Sequence, residues 1–356
     1  MSKSHALLAL GAALFLGSSA ALLLHSAPRT APGPALDPSE PQRSFAFTYQ
    51  VHVPADAGAK SSHLWIPLPQ NDAFQSVSNL KIESSVPHTE GRDPEYQNRF
   101  AVFAPNAAQS AAGYDVTLLF NATRREHSVN IHSPALQNAS AAPPATSLAS
   151  DPLLKRYLEP DKLVPLGGTI AELSRQQTAG DTTQLQKARH IYDYVVATMR
   201  YDKTGEGWGR GDAVWACTSK HGNCTDFHSL FIGMMRSAGI PARFEIGFPL
   251  PEGKTEGDIS GYHCWAEFYL NGLGWIPVDA SEAWKNPAKR DYFFGAHDDN
   301  RVFFTYGRDL VLSPDQKGAP LNYFIYPYAE SDGQPLKGLT THFAFRDLAP
   351  NDVAKQ

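Results

Sequence analysis

The chain has 356 residues, of which 42% are hydrophobic and 19% are charged. This composition is typical of globular proteins and excludes a disordered tail or a fibrous repeat, and the length predicts about two folded units. The 36 acidic residues outnumber the 31 lysines and arginines, which gives a formal net charge of −5. Because nucleic-acid-binding proteins usually carry a basic surplus, the charge argues against a nucleic-acid partner.

An uncharged run occupies residues 6–24, after a short segment whose single charged side chain is Lys3. Such a run is typical of a secretory signal peptide, and it is also just long enough to span a bilayer as an N-terminal anchor. We therefore expect export to the periplasm or the exterior, with either cleavage of the leader or membrane attachment through residues 6–24. A buried core helix is the less favoured alternative. The leader and a Pro/Ala-rich linker together take up residues 1–38.

Apolar and polar residues alternate through the region 44–130. The alternation is clearest at residues 45–53, 64–68 and 114–120, and turn-forming residues separate these runs. Strands of this kind bury one face, so the pattern predicts an antiparallel β-sandwich or small barrel over residues 44–130. Residues 131–150 are rich in Ala, Ser and Pro, which predicts an interdomain linker.

Helical periodicity replaces alternation beyond this linker. Residues 185–199 and 224–238 each place apolar side chains on one helical face. Alternating runs then return at 243–248 and 262–270, and a Gly-rich turn leads into 275–280. Further strand-like runs follow at 301–312, 322–328 and 341–345. Helices followed by antiparallel strands indicate an α+β domain, which we expect to cover residues 151–348.

Three cysteines, Cys217, Cys224 and Cys264, fall within 48 residues of one another. An odd number in an exported protein leaves at least one thiol unpaired, and catalysis is one reason to keep such a thiol. Cys224 stands at the first turn of the second predicted helix, where free backbone N–H groups and the helix dipole stabilise a thiolate. A buried thiol that happens to begin a helix fits this motif equally well.

His263 begins one strand of the predicted hairpin, and Asp279 ends the next. Pairing of the strands can put the two side chains together, so that the carboxylate holds the imidazole in one tautomer. If the helix start also brings Cys224 to the other ring nitrogen, His263 would act as base toward the thiol and as acid toward the leaving group. A lone strand histidine is more often structural, but the three groups together favour catalysis.

Three motifs in series resemble the transglutaminase-like superfamily in order, spacing and flanking residues. They are Gly-Asn-Cys at 222–224 opening a helix that ends in Ala-Gly-Ile-Pro-Ala-Arg at 238–243, Tyr-His-Cys-Trp-Ala-Glu at 262–267, and Gly-Trp-Ile-Pro-Val-Asp at 274–279. The resemblance covers about residues 185–311 and implies a papain-like core that transfers acyl groups through a thioester. It implies Cys224 as nucleophile, His263 as general base and acid, and Asp279 as the orienting residue. It also implies that the N-terminal segment is the β-domain that precedes this core in secreted bacterial members.

The acyl acceptor is not fixed by the resemblance, because members include protein cross-linkers, cysteine peptidases, amidases and inactive scaffolds. We expect hydrolysis of an amide or peptide bond in a protein or peptide substrate, since the chain does not show the extra domains of animal cross-linkers. Cross-linking with an amine acceptor and a non-catalytic envelope scaffold with a vestigial triad are the alternatives. The oligomeric state is left open.

The backbone N–H of Cys224 is one candidate donor to the oxyanion. The resemblance implies a second donor from an upstream tryptophan, either Trp208 or Trp215, and both can equally line the core. The glycine-rich segment 205–211 is expected to be flexible and to border a substrate groove, or to be a plain surface loop.

No cofactor or metal is expected. A zinc site is a weaker alternative, because its intervals lack the short paired-ligand pattern of structural zinc and because it leaves Asp279 without a role. Its ligands would be His221, Cys224, His228 and His263.

Two further expectations concern side chains near this region. Strand alternation predicts that Cys264 points to the face opposite His263, where it is a core residue. A disulfide bridge from Cys217 to Cys224 or to Cys264 is less favoured than two buried thiols. The arginines of the last strands, Arg301 and Arg308, are expected on a solvated face, and ion pairs among Arg301, Arg308 and Asp309 are the less favoured alternative.

Overall fold

The computed structural model describes residues 41–131 and 152–349, and all of these belong to one compact unit. The predicted leader and nearly all of the predicted linker at 131–150 lie outside the described residues. Within the described ranges, no helix combines the length and apolar character needed to cross a bilayer.

The N-terminal half forms strands, as its alternation predicts. Phe45, Phe47 and Tyr49 are buried on one face of the first strand, while the residues between them are partly exposed. The elements of this half are β1 (Gln42–Val53), β2 (Ser62–Pro67), β3 (Gln75–Ser84), β4 (His88–Arg92), β5 (Arg99–Phe103), α1 (Ala107–Ala112), β6 (Tyr114–Arg125) and β7 (His127–Ser128).

The second half contains the helices and most of the remaining strands. Its helices are α2 (Pro152–Arg156), α3 (Gly168–Gln177), α4 (Gln184–Thr198), α5 (Ala213–Ser219), α6 (Cys224–Ser237) and α7 (Ala280–Lys285), with a 3-10 turn at Pro287–Lys289. Its strands are β8 (Arg200–Tyr201), β9 (His221–Gly222), β10 (Ala242–Pro249), β11 (Glu256–Asp258), β12 (His263–Leu270), β13 (Gly274–Val278), β14 (Ala296–His297), β15 (Arg301–Tyr306), β16 (Tyr328–Ser331), β17 (Gln334–Pro335) and β18 (Thr340–Asp347).

Two five-stranded sheets form the predicted β-sandwich, but they recruit strands from both ends of the chain. Their strand orders are β11-β18-β1-β6-β3 and β17-β16-β2-β5-β4. The last strand, β18, pairs antiparallel with β1, and β16 pairs antiparallel with β2. The predicted domain boundaries at 44–130 and 151–348 stay predictions, because shared sheets do not measure whether either part folds alone.

The helix α6 packs against a four-stranded antiparallel sheet with the order β13-β12-β10-β15. Side chains on every side of α6 are buried from Cys224 to Arg236, because α3, α4 and α5 cover the faces that the sheet leaves open. A helix that is buried all round is typical of the centre of a domain. The α+β expectation is therefore confirmed, and α6 matches the predicted helix at 224–238 closely.

One predicted strand is wrong. Residues 322–327 form bends rather than a strand, and β16 begins only at Tyr328. Pro327 removes a backbone donor from the run. Asn322 Nδ2 donates instead to the carbonyl of Arg210 at 2.7 Å, so this segment is held against the glycine-rich loop of residues 205–211.

Candidate active site

Cys224 is the first residue of α6, and the local sequence builds the start of this helix. The Asn223 side chain accepts from the N–H of Thr225 at 2.9 Å, and the Asp226 carboxylate accepts from the N–H of Asn223 at 2.9 Å. This reciprocal capping leaves the helix with a well-defined N-terminus. Gly222 has a φ of 152°, and a Cβ there would collide with the Asp226 side chain, so only glycine fits.

The structure brings His263 and Asp279 into direct contact, as the hairpin predicts. His263 Nε2 lies 2.7 Å from Asp279 Oδ2, and this contact leaves Nδ1 as the ring nitrogen for the sulfur of Cys224. Asp279 follows β13 and caps α7, where its Oδ1 accepts from the Glu282 N–H at 3.0 Å. The second use of the carboxylate fixes its orientation, so the imidazole meets a rigid acceptor.

The three groups shift one another's pKa values toward an ion pair. Burial alone would lower the pKa of His263, but the Asp279 carboxylate and the Cys224 sulfur outweigh it and raise the pKa to about 10. Burial opposes a Cys224 thiolate, but contacts with Cys264 and with the His263 imidazolium hold the pKa of Cys224 well below its usual range. These shifts favour a thiolate beside an imidazolium at neutral pH.

The side chains of Cys224 and His263 are almost inaccessible to solvent. Cys224 is 2% exposed and His263 is 5% exposed. The glycine-rich loop 205–211 lies against the start of α6, because Asp226 also accepts from the N–H groups of Gly209 at 2.6 Å and Gly211 at 3.0 Å. The loop thus contacts the nucleophile's helix through two hydrogen bonds to this carboxylate, which anchor a segment that the sequence predicted to be flexible.

The predicted tryptophans occupy this neighbourhood without a defined role. Trp208 is a half-buried residue of the loop, and Trp215 lies on α5 with its ring 5.1 Å from the ring of His221. A Cβ on Gly207 would meet Trp215 Nε1 at 2.6 Å, so the indole packs directly on the loop backbone. These contacts support the loop, and the assignment of either tryptophan as oxyanion donor stays a prediction.

The three cysteines are free and buried, so the bridges considered from the sequence do not form. Cys264 is a buried core residue, as the sequence predicts, and its sulfur lies 3.7 Å from Thr225 Oγ1 on α6. The alternative zinc set does not converge either. His221 faces Trp215, and His228 Nε2 accepts from the N–H of Ala280 at 3.1 Å.

The expectation of a solvated face for Arg301 and Arg308 is wrong. Arg301 is 2% exposed and its Nη1 donates to Asp279 Oδ2 at 3.2 Å, while its Nη2 pairs with Asp298. Arg308 is buried beneath the glycine-rich loop and donates to the Gly211 carbonyl at 2.7 Å. Local sequence does not show this burial, because Asp279 lies 22 positions from Arg301 and Gly211 lies 97 positions from Arg308.

Tyr262 is a site residue that the sequence did not single out, although it precedes His263. Its hydroxyl lies 2.7 Å from Thr225 Oγ1 and 3.0 Å from Asn223 Nδ2. Its ring also lies 5.4 Å from that of Tyr323. Tyr262 therefore ties the strand that carries the imidazole to the cap of the helix that carries the thiol.

Comparison with known proteins agrees with this geometry. Residues 171–280 match the sequence profile of the Transglutaminase-like superfamily core. An uncharacterized protein from Haemophilus influenzae is 30% identical over 327 residues, which cover 82% of this chain and 86% of that protein. The uncharacterized protein YebA from Bacillus subtilis is 34% identical over 149 residues, or 38% of this chain and 20% of YebA.

Similarity also extends to a solved structure. The crystal structure of a candidate cysteine protease from Cytophaga hutchinsonii superposes with a TM-score of 0.60 at 15% identity. It covers 86% of this chain and 92% of that chain. At this identity the likeness shows a shared fold, which extends well beyond residues 171–280.

Proposed function

The chain belongs to the transglutaminase-like superfamily, and on that premise we propose that it is an exported thiol enzyme that hydrolyses amide or peptide bonds. Cys224 is the proposed nucleophile, His263 the proposed general acid and base, and Asp279 the residue that orients the imidazole. The proposed substrate is a protein or a peptide.

The observation that most supports this proposal is the 2.7 Å contact between His263 Nε2 and Asp279 Oδ2, beside a thiol at a helix start. A merely structural histidine needs neither a buried carboxylate nor a nearby sulfur of low pKa. The combination is the arrangement that activated nucleophiles require, in which a base contacts the nucleophile and a third group orients the base.

The proposed reaction begins with attack of the Cys224 thiolate on the carbonyl carbon of the scissile amide. The backbone N–H of Cys224, at the positive end of α6, is the proposed donor to the oxyanion of the tetrahedral intermediate. His263 Nδ1–H then donates its proton to the leaving amine, the C–N bond breaks, and a thioester remains. Water attacks the thioester, His263 accepts a proton from the water, and a carboxylic acid leaves as the thiolate re-forms.

Water is the favoured acceptor because the sulfur and the imidazole are so little exposed. A cross-linker must admit two macromolecular segments in succession, first the acyl donor and then the amine. A hydrolase must admit one such segment and water. Cross-linking is the second candidate, since the same thioester would react with a lysine side chain that reached it.

Site-resolved thiol labelling tests the proposal. We expect a limiting amount of iodoacetamide at pH 6 to label Cys224 well ahead of Cys217 and Cys264, because only a thiolate reacts quickly. The Cys224→Ala variant should lose this labelling and any hydrolysis of lysine-dimethylated casein, measured as newly formed primary amines. Cys217→Ala is the matched control, because it removes another buried free thiol and should keep both properties.

A fluorescent cadaverine separates the two candidate acceptors. Hydrolysis predicts new amines or ammonia without fluorescence in the protein substrate, whereas cross-linking predicts Cys224-dependent incorporation of the label. Preferential labelling of Cys217 or Cys264 would show that the nucleophile is misassigned, and an unreactive Cys224 would favour the scaffold alternative. Export is tested by fusing residues 1–40 to an alkaline phosphatase that lacks its own leader, because the phosphatase is active only after export.

A further inference from the structure

Three buried side chains away from the triad, His127, Glu267 and His297, converge on one point. Each offers one ligand atom, and these atoms all lie within 4.8 Å of one another. His127 on β7 pairs with His297 on β14 across a short antiparallel ladder, and Glu267 comes from β12. Three segments that are remote in sequence thus assemble two imidazoles and a carboxylate, which are donors that divalent transition metals prefer.

His297 gives a second and independent indication of a ligand. It is 0% exposed, and neither of its ring nitrogens has a hydrogen-bond partner in the part of the chain that the structure describes. A buried polar group without a partner loses its hydration and gains nothing in exchange, so such groups in native proteins are usually satisfied by an ion or an ordered water. The ring has an aromatic neighbour in Trp265, at 5.9 Å between centroids, which supplies no acceptor.

We propose that His127, Glu267 and His297 bind a divalent transition-metal ion, with Zn²⁺ the best fit to the donor set. Water supplies the fourth ligand in this proposal. His127 and Glu267 line a pocket of about 430 Å³, which gives the ion and the water a route to the cluster. The ion would link β7 to β12. The strand β7 directly follows β6 of the first five-stranded sheet, and β12 also carries His263.

The distances between the ligand atoms suit this coordination after small movements. Zinc bonds of about 2.0–2.2 Å in a tetrahedron place neighbouring ligand atoms roughly 3.3–3.6 Å apart. His127 Nδ1 already lies 3.0 Å from Glu267 Oε1, so this pair needs almost no movement. Binding transfers the ring proton of His127 to Nε2, and the direct contact between the two side chains is replaced by two metal bonds.

The neighbouring arginine does not block the site. Arg243 Nε donates to the other carboxylate oxygen, Glu267 Oε2, at 2.9 Å, so Oε1 remains for the metal. Glu245 Oε1 lies 2.9 Å from the same Arg243 Nε, so a second carboxyl group helps to hold the guanidinium in place. This arginine therefore orients the carboxylate from outside, in the way that partners behind a metal ligand commonly do.

The test uses the full chain without a histidine tag, stripped with a chelator and then titrated with Zn²⁺ or Co²⁺ alone. We expect one equivalent to bind, the visible bands of a four-coordinate Co²⁺ site, and a higher melting temperature in the presence of Zn²⁺. His297→Ala and Glu267→Gln should each lose the bound equivalent. Cys224→Ala should retain it, and His190→Ala serves as the control for an exposed histidine.

X-ray absorption on the wild-type protein covers the case in which the variants fail to fold. Two imidazoles with oxygen ligands and no sulfur are expected in the first coordination shell. Sulfur in that shell would place the ion at the cysteines and overturn the proposal. Failure to bind metal, or stoichiometry that is unchanged in a folded His297→Ala variant, would overturn it equally and would leave an ordered water as the partner of His297.

Discussion

The His263→Ala variant tests whether the imidazolium is what ionises the thiol. Burial works against the charged ring, yet Asp279 and Cys224 raise the pKa of His263 from an ordinary 6.5 to about 10. At about 1.4 kcal/mol per pKa unit, this difference is on the order of 5 kcal/mol in favour of the protonated ring. A ring held this firmly in its charged form is the main source of positive charge for Cys224, and alanine removes it.

The size of the expected effect follows from the titration of an ordinary thiol. With a pKa of about 8.5, such a thiol is only about 0.3% ionised at pH 6, whereas the wild-type Cys224 should be largely ionised there. The helix N-terminus and the contact with Cys264 remain in the variant and continue to stabilise some thiolate. We therefore expect the rate of alkylation of Cys224 at pH 6 to fall roughly 10- to 100-fold in His263→Ala.

The assay measures iodoacetamide modification of the Cys224 peptide by mass spectrometry at pH 6 and at pH 9. The ratio of the two rates within each protein is the readout, because any change in access caused by the smaller side chain affects both rates. The rate at pH 6 divided by the rate at pH 9 should be near one in the wild-type protein. It should be much smaller in His263→Ala. His190→Ala should match wild type. If the ratio in His263→Ala also matches wild type, the imidazole does not control the thiol.

Two substitutions probe the groups behind the imidazole. Asp279→Asn keeps an oxygen that can cap α7 but loses the negative charge, so the pKa of His263 should fall from about 10 toward 6.5. The alkaline limit of activity should therefore move to lower pH. An alkaline limit that does not move contradicts this prediction. Tyr262→Phe removes the hydroxyl contacts to Thr225 and Asn223, so thermal unfolding should register a loss of about 1 kcal/mol and the pH 6 alkylation rate should change. Tyr269→Phe, on β12, should leave the pH 6 alkylation rate unaltered.

Local patterns predicted the elements that carry the triad well. The run beginning at Cys224 has helical periodicity, and α6 spans Cys224–Ser237. The alternating run at 262–270 became β12 (His263–Leu270) for the same reason. A contact between Asp279 and His263 was also predictable, because a short turn joins their strands. Each of these features depends on residues that are close in sequence.

Features that depend on distant residues were not predictable in this way. The pairing of Phe47 with Phe345 joins residues almost 300 positions apart, and alternation within either strand carries no information on its partner. The burial of Arg301 depends on Asp279, 22 positions away, as well as on the nearby Asp298, because a guanidinium leaves water only where carboxylates replace its hydration. Sequence patterns identified the strands and charges but not their partners.

The strand β12 links the triad to the proposed metal cluster. Successive side chains of a strand point to opposite faces, so His263, Trp265 and Glu267 share one face. Trp265 lies between the two sites, with its ring 5.8 Å from that of His263 and 5.9 Å from that of His297. A metal ion at Glu267 would therefore act on the triad only through the position of this strand, because it contacts none of the reacting groups. Its loss should reduce the stability of the protein more than it alters the pH dependence of the thiol.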